Sequence, residues 1–296
     1  MIKIAILGCD STHTEAYTTL INAVEGPFYN KAKVCWIWGE DHHQALEKAA
    51  ILKIETVLDS PDSEILKSAD LIMVVGRFGD SHFKPAISAI KSGRPVFVDK
   101  PFTNSDQEAV QLIQLAEERN VPLVSFSPLR FADEIVSLRD QYPDNSKIQT
   151  VIATSPMITR TIHDERVNSV YFYSVHAIDM LLSLVKKRPV SVNAHRHSNG
   201  VWVDIVFDDQ SISALNLTID QPETYQVTLF DLDGRIITVN MDPDGPYYRN
   251  TLAFLFKNLE NLKSDSAPLI QSLDSIRVLT AVEKSLTNHK QTLLYG

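Results

Sequence analysis

Cysteine is scarce: Cys9 and Cys35 are the two in 296 residues. Two thiols cannot staple a chain of this length, and both fall in apolar segments, so a reducing compartment and buried, unbonded thiols are expected. Basic charge is short as well. With 28 Lys and Arg against 37 Asp and Glu the formal charge is −9. No long basic run exists to neutralise phosphates, so neither nucleic acid nor an anionic membrane is an expected partner. Long hydrophobic runs are missing too. The apolar start of the chain gives way at Gly8-Cys9-Asp10-Ser11, far short of the roughly 20 residues a membrane span requires. The expectation is a cytoplasmic protein whose partner is a small molecule. At 44% hydrophobic and 22% charged the composition is that of an ordinary globular protein, and the length suggests two domains.

The two halves differ in rhythm. Residues 2–7, 34–38, 71–75, 96–98 and 121–126 are predicted as strands, with helices at 12–24, 44–52, 82–91 and 105–119 between them. Ser105 and Glu108 form a capping box at the start of the last helix. Apolar strands without alternation, separated by helices, indicate a parallel sheet covered on both faces, the doubly wound architecture. After about residue 126 strands follow one another, at 148–154, 190–196, 201–207, 211–218, 225–230 and 235–239. Asn199-Gly200 and Asp233-Gly234 offer the positive-φ residues of tight hairpins. Leu252, Leu255, Phe256, Leu259 and Leu262 make one helical stripe, and Ile276, Leu279, Val282 and Leu286 another. The fold class is α/β over residues 1–125, followed over 126–296 by an α+β domain with an open, mostly antiparallel sheet.

Four places could carry chemistry. The turn Gly8-Cys9-Asp10-Ser11-Thr12-His13 follows the first strand, where a doubly wound fold grips a pyrophosphate through G-x-G-x-x-G. Gly8 alone of the three glycines is present; Asp10 stands at the second position and His13 at the third. Asp10 is either a helix N-cap or a carboxylate facing the ligand crevice together with His13. At the end of the second strand Glu40 is placed either to hold ribose hydroxyls or, with Asp41, to cap the next helix. Asp99-Lys100-Pro101 follows the 96–98 strand, whose carboxyl end faces the crevice, so Lys100 either donates to a ligand oxygen or is simply solvated. Finally, His176 has Asp179 three residues on, beside a buried stripe of Val175, Ile178, Leu182 and Val185. It is either a proton carrier or a structural histidine.

Together these segments resemble the glucose-fructose oxidoreductase/inositol dehydrogenase (Gfo/Idh/MocA) family over essentially the whole chain. The resemblance rests on Ile4 to Gly8, on Gly93-Arg-Pro-Val-Phe-Val-Asp-Lys-Pro101, which is similar to G-K-x-V-x-x-E-K-P, and on His176-Ala-Ile-Asp179. It implies a Rossmann-like nucleotide-binding domain joined to an open-sheet domain. It also implies NAD or NADP as cofactor, a sugar or polyol as substrate, and a homodimer or homotetramer. Lys100 and His176 would act on the substrate hydroxyl, His176 as base and Lys100 as the group that polarises the oxygen. Tyr173 and Asp179 would join them in holding substrate, and Gly8, Asp10, Ser11, Thr12, His13, Glu40 and Lys100 would contact the cofactor. Glu40 favours a free 2'-hydroxyl and hence NAD.

The chain departs from the family pattern at Asp10 and His13, and at Phe172, where an acid often precedes the histidine by four residues. These departures motivate a second reading: a ligand-binding or sensor protein that keeps the fold without dinucleotide binding. A third is lyase or hydrolase chemistry using His176. No metal site is expected. His195 and His197 share a strand face without a third ligand, His42 and His43 read as solvated, and Cys9 as a reactive thiol lacks an evident base.

Overall fold

The computed structural model describes residues 1–158, 164–259 and 267–295. The chain forms two units, Met1–Phe126 with Tyr248–Leu269 and Ser127–Tyr247 with Ile270–Gly296.

In the first unit β1 (Ile2–Leu7), β2 (Ala32–Trp38), β3 (Thr56–Val57), β4 (Leu71–Val74), β5 (Val96–Val98) and β6 (Leu123–Ser125) pair in parallel, in the order β3-β2-β1-β4-β5-β6. The helices α1 (Thr12–Asn22), α2 (His42–Leu52), α3 (Phe83–Lys91) and α4 (Asp106–Glu118) follow β1, β2, β4 and β5. All four residues of β4 and all three of β5 are buried. This is why they read as unbroken apolar runs: a strand covered on both faces has no side to leave polar. The strand order reverses between β1 and β4, and such a switch point opens a crevice at the strands' carboxyl ends. Gly8 makes the exit from β1 possible. Its φ is +123°, and a Cβ there would lie 2.5 Å from the backbone nitrogen of Gly76, so the turns after β1 and β4 meet backbone to backbone.

The capping box forms only in part. Ser105 Oγ accepts from the Glu108 N–H at 3.3 Å, but the Ser105 N–H is taken by Thr103 Oγ1 at 3.2 Å. With that donor already satisfied, the Glu108 carboxylate turns elsewhere.

The second unit is built on β7 (Ile148–Ile158), β8 (Pro189–His197), β9 (Gly200–Phe207), β10 (Ile212–Ile219), β11 (Gln226–Asp231), β12 (Ile236–Asn240) and β13 (Thr292–Leu293). Their order is β12-β11-β7-β10-β9-β8-β13; β7 and β10 run parallel and the other pairs antiparallel. Gly234 does adopt positive φ, +83°, but Gly200 does not. What demands glycine at 200 is crowding across the sheet, since a Cβ would sit 2.1 Å from the Leu217 carbonyl oxygen.

Against this sheet lies α6 (Ser174–Val185), packed also on the 3-10 turn Pro128–Phe131 and on α5 (Asp133–Gln141). It is buried along its whole length, where the sequence suggested one buried stripe. Protein on more than one side of a helix demands more than a stripe.

Of the last helices, α7 (Tyr247–Asn258) turns back to the first unit, and α8 (Ala267–Asn288) runs on into the second. Rings explain the return. Tyr248, Phe254 and Phe256 meet Tyr17, Phe126 and Phe28 with centroids 5.2, 5.7 and 5.1 Å apart, edge to face, the arrangement the aromatic quadrupole favours. Residues 248–269 thus interrupt the segment 126–296 that the sequence assigned to one domain. Leu262 of the expected stripe lies outside the described residues. Among the described residues no helix is long and apolar enough to cross a membrane.

Asp231, at the end of β11, closes the turn into β12. Its carboxylate accepts from the N–H groups of Asp233 and Arg235, from Arg235 Nε at 2.7 Å and from Tyr142 Oη at 2.8 Å. Desolvation pushes its pKa up, but the Arg235 and Tyr142 hydrogen bonds outweigh it and bring it to about 2. A folded pKa below the unfolded value of about 3.9 contributes stability above that value and loses it as pH falls toward 2. Tm should therefore drop between about pH 5 and pH 2, and this acid-dependent part should shrink in Asp231→Asn. Parallel Tm profiles for the two proteins would contradict it.

Candidate active site

A cavity of about 430 Å³ opens at the carboxyl ends of β1, β2 and β4. Trp38, Phe83 and Pro85 give it apolar wall, and Gly8 and Gly76 give it backbone. Its charged lining is lopsided: Asp10, Glu40, Asp41, Asp80 and Glu108 against Lys84.

Each acid is there for a local reason. Asp41 is the N-cap of α2, its Oδ1 accepting from the N–H groups of His43 and Gln44 at 2.9 and 3.1 Å. That leaves Glu40, exposed and one residue earlier, facing the cavity without a capping duty. Asp10 is not the cap of α1. Ser11 takes that place, its Oγ accepting from the His13 N–H at 3.1 Å, while Asp10 Oδ1 accepts from the Arg77 N–H at 3.2 Å in the turn after β4. The Asp10 carboxylate therefore lies where the second glycine of the fingerprint would leave bare backbone. Glu108, released from its capping duty, is pushed up in pKa by burial and by Asp80. Cys9 is pushed up to about 11 by burial and by Asp10, so it stays a protonated thiol at neutral pH and is no nucleophile. Cys35 is only half-buried, and both cysteines are free.

His13 does not line the cavity. It is buried, and its Nδ1 forms a short hydrogen bond to Asp99 Oδ2. Because a carboxylate can only accept, Nδ1 carries the proton. Burial drives the His13 pKa down although Asp99 opposes it. Burial would raise Asp99, but His13 and Lys100 hold it below the usual carboxylate value. The ring stands edge-on to Tyr248 and Tyr17, 5.1 and 6.3 Å away. Where a third glycine would let helix and strand approach, His13 instead ties α1 to the end of β5. Lys100 follows directly, 7% exposed, before a cis peptide to Pro101. His82, fully buried, places its two ring nitrogens 2.8 Å from the carbonyl oxygens of Pro101 and Gly76, joining the loops after β5 and β4. Thr12 is exposed at the first turn of α1.

The second unit holds His176 in a separate network. Its Nδ1 lies 2.6 Å from Ser127 Oγ, and its ring meets Tyr225 edge to face at 5.2 Å. Asp179 does not present a free carboxylate to a ligand: Oδ2 accepts from the Ser127 N–H at 2.9 Å and Oδ1 from Arg130 Nη1 at 3.3 Å. Burial raises the Asp179 pKa, with Arg130 pulling against it. Arg130 also donates to Gln271 Oε1, whose own amide donates to the Leu182 carbonyl at 3.0 Å. Tyr173, half-buried, precedes α6 and meets Phe172 edge to face at 4.8 Å.

Sequence reasoning missed Ser127 and Arg130. One signal was available: Ser-Pro is a typical opening for a short helical turn, with Ser as cap and Pro at the first position. His195, His197, His42 and His43 are exposed, and among the described residues no group of three metal-ligating side chains exists.

Residues 2–126 match the family model GFO_IDH_MocA, described as an oxidoreductase family with an NAD-binding Rossmann fold. The chain is 25% identical over 150 residues to uncharacterized oxidoreductase YhhX of Escherichia coli K12, covering 48% of this chain and 43% of that protein. It is 23% identical over 210 residues to uncharacterized oxidoreductase C26H5.09c of Schizosaccharomyces pombe, covering 67% and 55%. The chain thus spans about half the length of these curated relatives. Among solved structures, scyllo-inositol dehydrogenase from Lactobacillus casei, with bound NAD(H) and scyllo-inositol, superposes with a TM-score of 0.79 over the full length of both chains at 13% identity. At that identity the likeness is one of fold.

Proposed function

We propose, from the match of residues 2–126 to the Gfo/Idh/MocA family model, that the chain is a nicotinamide-dinucleotide-dependent oxidoreductase of that family acting on a hydroxyl or carbonyl carbon of a sugar-like or polyol substrate. The observation that carries this reading is the cavity at the β1/β4 switch point, with the Gly8 turn on one side and Glu40 at the end of β2. These residues fit a dinucleotide. Glu40 would accept from ribose hydroxyls, Trp38 and Pro85 offer wall to a base, and Gly8 with the N-terminus of α1 offers backbone to the pyrophosphate. Bound there, the dinucleotide supplies hydride transfer.

The chain's own residues do the rest. Lys100, held by its position after Asp99 and by the loop that His82 clamps, would donate to the reacting oxygen and stabilise negative charge on it. His176 would exchange a proton with the substrate. The acid-rich lining disfavours a 2'-phosphate, so NAD is preferred over NADP. A second copy of the chain would cover the outer face of the open sheet, where Trp202, Ile152 and Phe230 are half-exposed.

The test is direct titration with NADH and NADPH, by calorimetry or by energy transfer from Trp38. Micromolar NADH binding, with NADPH at least about tenfold weaker, is the expected result. His176→Ala should then bind NADH normally and lose about 10²- to 10⁴-fold in turnover, and Lys100→Ala should lose turnover over the same range. The observation favouring the ligand-binding alternative is Asp10 in the cavity. If NADH fails to bind at millimolar concentration, that alternative replaces the redox reading.

A further inference from the structure

The Ser127 hydroxyl has one proton and two lone pairs, and its surroundings decide where each goes. Ser127 caps the Pro128–Phe131 turn, its Oγ accepting from the Leu129 N–H at 3.2 Å. A backbone N–H can only donate, so one lone pair is used. The residue is 1% exposed, and among the described residues the one acceptor within reach of the hydroxyl proton is Nδ1 of His176, 2.6 Å away. The reverse arrangement, an Nδ1–H donating to Oγ, would leave a buried hydroxyl proton without an acceptor, which folded proteins seldom tolerate. In a neutral ring with Nδ1 accepting, the proton sits on Nε2.

We propose that Ser127 is a positioning residue that fixes His176 as the Nε2–H tautomer, so that the neutral ring meets a substrate oxygen as a hydrogen-bond donor. Such a ring polarises a carbonyl. Taking a proton from a hydroxyl at Nε2 would first require the tautomer that Ser127 disfavours, so Ser127 sets the cost of that proton exchange, equally for both directions of the reaction. Asp179 and Arg130 act one step further out. By accepting from the Ser127 N–H, and being held in turn by Arg130, Asp179 keeps the hydroxyl in place. Tyr225 limits the tilt of the ring.

This consequence for proton exchange rests on the redox reading, whereas the tautomer itself does not. The test is therefore long-range ¹H–¹⁵N correlation spectroscopy on the labelled full chain without cofactor or substrate, at a pH where the ring is neutral. The His176 signals are identified by their loss in His176→Gln. The expected spectrum has a pyrrole-type Nε2 and a pyridine-type Nδ1, at a ratio of about tenfold or more, with the preference reduced in Ser127→Ala and restored in Ser127→Thr. A wild-type ring protonated on Nδ1 overturns the proposal, even if neither variant folds. Turnover that survives His176→Ala, alongside the expected spectrum, would overturn the redox role of His176 and leave the tautomer assignment standing.

Discussion

Replacing Arg130 with alanine is expected to destabilise the protein by about 3–5 kcal/mol, the range for removing one partner of a buried ion pair. The Arg130 and Asp179 side chains are 8% and 2% exposed, so water cannot take over the missing contacts. Two routes are open to the stranded carboxylate, and both are costly. It stays charged, with the Arg139 guanidinium as its remaining cationic neighbour, or it takes up a proton. Protonating a group of pKa about 4 at pH 7 costs about 1.4 kcal/mol per unit, or about 4 kcal/mol in all. That second route caps the loss. Burial already pushes the Asp179 pKa up, which shortens the distance to protonation and places the expected loss toward the lower part of the range. Gln271 loses its guanidinium partner as well. Adding Asp179→Asn to Arg130→Ala should recover stability, because the amide can still accept from the Ser127 N–H without carrying charge. Denaturant unfolding of the two single variants and the double variant gives the coupling directly. A loss below about 1 kcal/mol for Arg130→Ala would show that the pair behaves like an exposed one, and the tight Ser127 geometry would need another support.

The parallel sheet of the first unit was legible because each strand is buried on both faces and cannot hide its apolar run. The two-residue strands Thr56–Val57 and Thr292–Leu293 were not, since two residues carry no period. Nor was α5, whose sequence Asp-Glu-Ile-Val-Ser-Leu-Arg-Asp-Gln buries just Ile135 and Leu138. In the candidate site, sequence singled out positions better than it settled their duties. Asp10 and Asp41 were both eligible as caps. Their neighbours decided the matter: Ser11 capped α1 and released Asp10, while Asp41 capped α2 and released Glu40. His13 reads as a crevice residue until its partner is known, and that partner, Asp99, lies 86 positions away. The same holds for Asp179, whose hydrogen bonds to Ser127 and Arg130 span 52 and 49 positions. Local spacing marks which residues are unusual; the long-range contact decides whether a carboxylate is spent inside the protein or left for a ligand.

Asp10 spends one oxygen on the Arg77 N–H and still lines the cavity, and its neutralisation should give the largest change in cofactor affinity. Its carboxylate lines the cavity beside Glu40, Asp41, Asp80 and Glu108, with Lys84 the one cation of the lining among the described residues. Two elementary charges about 5–8 Å apart at an effective dielectric of about 20 repel by about 2–3 kcal/mol. Salt screening at the open side reduces this, so Asp10→Asn should bind NADH about 10- to 100-fold more tightly than the native chain. Asparagine is the informative substitution, because its side-chain oxygen still accepts from the Arg77 N–H and so isolates charge from shape. Asp10→Gly removes both and should give a similar gain, since the exposed Arg77 N–H can turn to water. The salt dependence separates this account from simple steric relief. Screening a repulsive carboxylate makes NADH binding by the native chain strengthen, or weaken less, as salt is added, whereas Asp10→Asn should lose that part of the response. Equal affinities for the native chain and Asp10→Asn across a salt series would mean that the Asp10 charge is not felt by the cofactor. The acidic lining would then discriminate through Glu40 and its neighbours instead, a conclusion that Glu40→Gln tests by raising NADPH affinity relative to NADH.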